Sequence, residues 1–216
     1  MIKQTYQDIG ERAIASYDFI DIALQQGVKT FYGGKANGTY FLTTTQFYSD
    51  AITTAATISN TNYVLGADVD FDIEFNAPQN VKGQCIVNVP MGMREPNVAT
   101  NTHDILSHAN IKKWDGTTET FVLSGSSLVT TAALTGGQKK YAIGTIILDL
   151  PLTHFKKGES LRLTIEQFAK NNGPNDGVYF IGHDPKDRGD LPISATDNFG
   201  TEHSQLSINV PFRIDL

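Results

Sequence analysis

The stretch "YFIGHDPKDRGD", from Tyr179 to Asp190, gathers a histidine, aspartates, a lysine and an arginine behind an apolar run. His183, Asp184 and Asp187 are of the types that ligate a metal, and Asp190 follows Asp187 at the same three-residue spacing that separates Asp184 from Asp187. An EF-hand-like loop needs carboxylates at alternate positions and a distal glutamate, and the stretch supplies neither. A zinc site needs more histidine or cysteine, and the nearest further histidine is His203. Asp followed by Pro is turn chemistry: the carboxylate accepts backbone N–H bonds and the proline ring fixes φ. The expectation is a structured turn in which Arg188 pairs with an aspartate. No metal is assigned, and His183, Asp184 and Asp187 stand as the candidate ligands should a cation be held. On this view His183 is dispensable to folding, while Asp184 contributes about 1 kcal/mol through its turn bonds. The triplet Arg188–Gly189–Asp190 spells an integrin-binding motif, but three residues recur by chance too often to carry that meaning.

A second set of ionisable groups is the run Asp68, Asp70, Asp72 and Glu74 in "DVDFDIEF", which alternation places on one face of a strand. Four carboxylates in a row repel one another unless cross-strand lysine or arginine answers them. Such pairing is the first expectation, ahead of a basic partner surface or calcium. Cys85 is the one cysteine, so no intrachain disulfide can form, and its place beside Val87 and Val89 in "QCIVNV" marks it as a buried, inert thiol. "LSGSSL" is not the G-x-S-x-G elbow, and "GGKANGT" lacks the terminal G-K-[ST] of a phosphate loop. His103 and His108 are spaced to fall on opposite faces of a strand. A carboxylate pair of glycosidase type is a spatial arrangement that a sequence does not display. With no motif in place, the expectation is that the protein is not an enzyme, with no catalytic residue, no ligand-binding residue assigned and no cofactor.

These residues must be held by strands. "SLRLTIE" sends Leu161, Leu163 and Ile165 to one side, and "LSINVPFRI" sends Leu206, Ile208, Val210, Phe212 and Ile214. "QCIVNV", "ETFVL", "KYAIGTIILDL" and "GVYFIG" add four more; the third is apolar on both faces, which predicts a central strand. Turns fall at "WDG" and "HFKKGES", and Pro211 implies an edge, a bulge or an outward amide because proline cannot donate to the ladder. Residues 1–30 read as an N-terminal arm, helix or strand, with Tyr6, Ile9, Ala13, Tyr17, Ile20 and Leu24 at helical spacing but "YDFIDIA" rich in strand formers. Residues 31–216 read as one domain, an all-β, two-sheet antiparallel sandwich of jelly-roll type. The formal net charge of −6 and scattered lysines argue against a nucleic-acid face. No apolar run reaches the length of a membrane span, and the N-terminus lacks a signal-peptide core, so synthesis in the cytoplasm is expected.

In chain order, "SYDFIDIALQQGVKTFYGG", "TYFLTT", "FNAPQNVKGQCIVNVPMG", "FKKGESLRLTIE", "IGHDPKDR" and "LSINVPFRIDL" resemble a family of virion structural proteins of tailed bacteriophages. The resembling stretches run from Ser16 to Leu216. The resemblance implies a jelly-roll capsid, decoration or fibre-associated component that lodges in the virion, with no catalytic role to transfer. A capsid decoration or cement protein is the expectation drawn from it. Its partners would be copies of itself, in a symmetric oligomer with trimer ahead of dimer, and other virion proteins; no nucleic acid and no membrane is expected. Two alternatives remain open. One is a carbohydrate-binding sandwich, with Tyr40, Tyr48, Trp114 and Tyr179 as candidate platform aromatics; the other is a polysaccharide-cleaving enzyme.

Overall fold

The computed structural model describes residues 26–47, 49, 53–96, 100–130, 133–173, 176–186 and 204–213. Among them there is no helix, and the elements are β1 Gln26–Ala36, β2 Thr39–Thr43, β3 Thr53–Ile58, β4 Val64–Glu74, β5 Gln79–Arg94, β6 His103–Trp114, β7 Glu119–Thr130, β8 Lys139–Phe155, β9 Ser160–Asn171, β10 Gly177–Gly182 and β11 Ser207–Arg213. Hydrogen bonding sorts eight of them into two antiparallel layers. One has the order β1-β11-β5-β8 and the other β4-β9-β6-β7. This order, with consecutive strands alternating between layers at β4 to β5 and again at β8 to β9, is the interlocked Greek-key path of a jelly roll. The short β2 joins the layers at one corner through β1 and a parallel bridge from Phe41 to Asp72. β10 and β3 extend the first layer beyond the end of β11.

Alternation explains why these residues make strands and which side they bury. Val69, Phe71 and Ile73 of β4, Leu161, Leu163 and Ile165 of β9, and Ile208, Val210 and Phe212 of β11 are all buried. Facing those of β4 and β9 lie Cys85, Val87, Val89 and Met91 of β5 and Ile146, Leu148 and Leu150 of β8, in the same layer as β11. The two layers meet closely. Ser107 Oγ on β6 donates to Met91 Sδ on β5 at 2.9 Å, and a Cβ at Gly125 of β7 would lie 2.6 Å from the side chain of Leu148. An edge-to-face aromatic cluster of Phe31, Phe75, Phe155 and Phe212 closes one end of the core.

The turns match their chemistry. Gly116 and Gly158 both take positive φ, at 93° and 87°, in the β6–β7 and β8–β9 reversals where glycine was expected. Pro211 sits between two partners, not at an edge, and a register shift between Asn209 and Phe212 is the bulge that accommodates it. One expectation is corrected. β8 is not central: among the described residues it pairs only with β5, and its second apolar face is exposed, with Ile143 at 45% and Ile147 at 60%. Of the segment read as an N-terminal arm, Gln26–Thr30 belong to β1, and residues 1–25 lie outside the described residues.

Candidate functional site

Inward alternation continues past the end of β10, so that Tyr179, Ile181 and His183 all face the interior. The two polar members of this series anchor separate buried networks at the two ends of the strand.

At the C-terminal end, His183 Nε2 lies 2.9 Å from Thr54 Oγ1, whose hydroxyl is 2.8 Å from that of Tyr40. Lys35 Nζ donates to the Tyr40 hydroxyl at 3.2 Å and also stands over its ring. The imidazole packs edge-on against Tyr40 and at a tilt against Phe71. Asp184 is fully buried; its Oδ1 accepts the Ser49 N–H, and its own N–H donates to the Ser204 carbonyl. Ser49 Oγ in turn bonds both the N–H and the carbonyl of Lys35. The "GHDP" turn therefore locks the β1–β2 hairpin, the entry to β3 and the entry to β11 together. Chemically, a hydroxyl held against an imidazole is the contact from which an activated nucleophile is built.

Against the expectation that His183 is dispensable stand its burial and its bond to Thr54. His183→Ala should lower unfolding stability by about 2–3 kcal/mol, because it leaves a cavity and strips Thr54 of a partner. Asp184→Ala should cost a similar amount, measured by urea denaturation; a His183→Ala midpoint equal to that of the parent would restore the earlier expectation. The third candidate ligand, Asp187, lies outside the described residues, as do Arg188 and Asp190. Among the described residues no three His, Cys, Asp or Glu side chains are grouped so as to hold a metal ion.

At the N-terminal end of β10, the Tyr179 hydroxyl donates to the Lys170 carbonyl at 2.9 Å and lies 3.1 Å from His103 Nδ1. His103 Nε2 is 3.2 Å from Glu95 Oε2, and Asn101 Nδ2 donates to the same oxygen at 2.6 Å. Glu95, His103 and Tyr179 are all fully buried. Burial holds the His103 imidazole below its ordinary pKa, with the Glu95 carboxylate working in the opposite direction, and burial pushes the Tyr179 phenol up. Nearby, Asp104 takes an ion pair from Lys170 at 3.0 Å and a bond from the Tyr63 hydroxyl. Burial opposes the Asp104 charge, but these bonds and one from Thr130 hold its carboxyl below the usual range.

The acidic run of β4 faces outward, as alternation predicts. Arg162 on β9 grips Asp72 with two nitrogens at 2.7 and 2.6 Å, approaches Asp70 at 3.3 Å, bonds Glu119 and stacks on Trp114. Cross-strand pairing is thus the arrangement for Asp70 and Asp72. Asp68 instead faces Glu166, and burial together with Asp70 and Glu166 raises its pKa. Cys85 is buried with its thiol pushed up to about 12, which leaves it unreactive. The four candidate platform aromatics do not share a surface: Tyr179 is in the core, Tyr40 is packed in the His183 network, Trp114 is covered by Arg162, and Tyr48 lies outside the described residues.

Sequence reasoning placed His103 and His108 on opposite faces, and they are: His103 points into the core while His108 packs beside Phe168 on the outer face. Not foreseen as network members were Tyr179 and Thr54, which meet their histidines across stretches distant in sequence, and Glu95, which meets His103 and Asn101 over the short connection from β5 to β6.

No family model and no curated protein matches the chain. Solved structures do share its shape. A CocE/NonD family hydrolase from Staphylococcus aureus superposes with a TM-score of 0.51 at 16% identity, over 87% of this chain and 36% of that one. An aminopeptidase from a marine sediment archaeon, Thaumarchaeota archaeon, superposes with a TM-score of 0.54 at 9% identity, over 89% of this chain and 37% of that one. This chain therefore spans little more than a third of either. A structure of infectious bursal disease virus, Gx strain, aligns over 88% of this chain at a TM-score of 0.33, too low to bear on fold or location.

The hydrolase likenesses show a shared sandwich fold, and they correct one expectation. That the protein is not an enzyme was inferred from absent linear motifs, yet this fold occurs within hydrolase and aminopeptidase chains. The physical reason is that a sandwich assembles polar groups from distant strands, as Thr54 and His183 show, so a missing motif excludes no chemistry.

Proposed function

We propose that the chain is a structural component of a tailed-bacteriophage virion, a decoration or minor capsid protein that holds its place through contacts with its own copies and with the shell. The observation that carries this reading is apolar side chain left on both outer sheet faces of an otherwise well-buried fold. Val28 and Ile147 are 66% and 60% exposed on the first layer, and Phe121, Leu128 and Leu65 are 60%, 55% and 46% exposed on or beside the second. Leu65, Phe168, Leu106 and Leu128 are register partners, forming one apolar row across all four strands of the second layer. Rows of this kind mark contact surfaces. The ordered resemblance from Ser16 to Leu216 supports the virion setting. The expected result is that the purified protein sediments as an oligomer or co-pellets with empty capsids, and that it is found by mass spectrometry in purified particles. If the acidic face formed by Asp68 and Glu166 meets a basic partner, capsid binding weakens as salt rises. A monomer at every concentration that never pellets with capsids and is absent from particles would sink the proposal.

A second reading rests on the Thr54–His183 contact and the fold shared with hydrolases: the chain is a sandwich module of a hydrolase. Turnover of ester or peptide substrates that Thr54→Val abolishes, with melting behaviour preserved, would establish it in place of the first.

A further inference from the structure

The two outer faces of the sandwich differ in charge. On the β4-β9-β6-β7 layer, outward positions carry Asp68, Asp70, Asp72, Arg162 and Glu166. On the β1-β11-β5-β8 layer, the outward positions within 28–32, 207–211, 84–90 and 143–147 hold no Asp, Glu, Lys or Arg, in a chain that is 19% charged. Charge returns only at the borders, with Asp149 and Lys82 at one end of the field and Arg94 and Lys139 at the other. An uncharged centre inside a charged rim is the anatomy of a protein interface.

Five polar side chains in that centre are already paired with one another. Thr145 Oγ1 donates to Asn88 Oδ1 at 2.9 Å, Asn88 Nδ2 to Ser207 Oγ at 3.4 Å, and Thr30 Oγ1 to Asn209 Oδ1 at 2.7 Å. Covering a hydroxyl or amide costs most when it loses water and gains nothing. Here the side chains keep partners within the sheet, so the face can be covered at little polar expense. Beside these pairs, Ile86 and Ile147 are cross-strand neighbours, and Ile143 and Ile147 stand exposed along β8. Strands about 4.8 Å apart, with about 17 Å of β1, β11 and β8 and about 24 Å of β5 in the field, give roughly 350 Å² of flat sheet. The charged and polar rim around it must supply the remainder of the roughly 800 Å² per partner of a stable interface.

We propose that this face docks against a second copy of the chain, sheet upon sheet, resting on the reading of the protein as a self-associating virion component and naming the surface it uses. A chain of net charge −6 repels its copies wherever acidic faces meet. The uncharged face is where two copies approach without that repulsion, and aligned packing of twisted sheets is the geometry available to it. A contact of this kind, apolar at its centre, holds or tightens as salt rises, whereas a contact through the acidic face would loosen.

Sedimentation of the full chain over a range of concentrations and at low and high salt tests this, with three proteins side by side. Ile147→Arg places a charge at the centre of the field on an exposed side chain, so the chain should fold as the parent does, with the same circular dichroism spectrum. Leu128→Arg makes the same change on the other layer. The expected result is a parent dimer or higher oligomer that persists in high salt, at least a tenfold weaker self-association for Ile147→Arg, and no change for Leu128→Arg. An oligomer that survives Ile147→Arg but fails with Leu128→Arg overturns the proposed face while leaving the virion reading intact. So does a monomeric parent that still pellets with capsids; a monomer that does neither removes both. Protection of this face within a monomer, seen as slow backbone exchange in β8 that Ile147→Arg abolishes, would mean that a segment of the same chain covers it, and would also overturn the proposal.

Discussion

Ile208→Asp should remove a large share of the fold's stability and lower its melting temperature by many degrees. Ile208 lies in the middle of β11, paired with Phe31 of β1 on one side and Val87 of β5 on the other, and its side chain is fully buried. A carboxylate there has no basic partner on the adjoining inward positions, which are Phe31, Val87 and, along β11, Leu206 and Val210. It must either ionise without solvent or take up a proton, and it also forfeits the packing of the isoleucine. The combined loss is about 3 kcal/mol or more, against a usual domain margin of about 5–15 kcal/mol. β11 is also the strand that carries the β1 end of the sandwich on β5, so loosening it frees both neighbours. Circular dichroism and thermal melting check the expectation: a soluble variant with the parent's melting curve would show that the side chain does not lie between the layers.

The sequence made that strand legible because a half-buried strand writes its burial as period two, and Leu206, Ile208, Val210 and Phe212 keep that period through Pro211. The same rule served for β4 and β9. It misplaced β8, since apolar residues on both faces ordinarily mean burial on both, whereas the outward isoleucines of β8 lie on an exposed face. A contact surface and a buried face use the same residue types, and periodicity alone does not separate them. The turn at His183 was legible in kind, from Asp184 and Pro185, but not in its partners. Thr54, Tyr40 and Lys35 reach it only because β10 pairs with β3 while β2 folds back on β1. The Glu95–His103–Tyr179 network was invisible for the same reason: β10 pairs with the end of β5, bringing Tyr179 opposite Met93 across more than eighty residues of chain. Local pattern determines which way a side chain points, and topology determines what it meets.

That network should give the fold its sharpest response to acid. Glu95 is fully buried with His103 and Asn101 on one carboxylate oxygen, and its backbone is clamped by Gln138 and Gly137. Glu95→Ala removes the acceptor from both side chains at once, and losing one partner of a buried, hydrogen-bonded ionisable pair costs about 3 kcal/mol or more. Glu95→Gln keeps an acceptor oxygen and should cost less. The pH dependence has a definite sign. Burial depresses the folded-state pKa of His103, so below its unfolded value, about 6.5, the unfolded chain binds the proton more readily than the folded one. Stability is then complete at neutral pH and falls as pH drops from about 6.5 toward the depressed folded value. Asp104, whose folded pKa is lowered against burial by its bonds to Lys170, Thr130 and Tyr63, adds a second loss at still lower pH, where its carboxylate takes up a proton. His103→Gln removes the first step and leaves the second. Glu95→Ala deepens the first, because the carboxylate that favours a charged imidazole is gone. Urea denaturation at pH 7.5, 6.5, 5.5, 4.5 and about 3 separates these outcomes. A parent whose midpoint does not move between pH 7.5 and 5.5, or a His103→Gln protein with the parent's profile, would show that the imidazole does not titrate with folding.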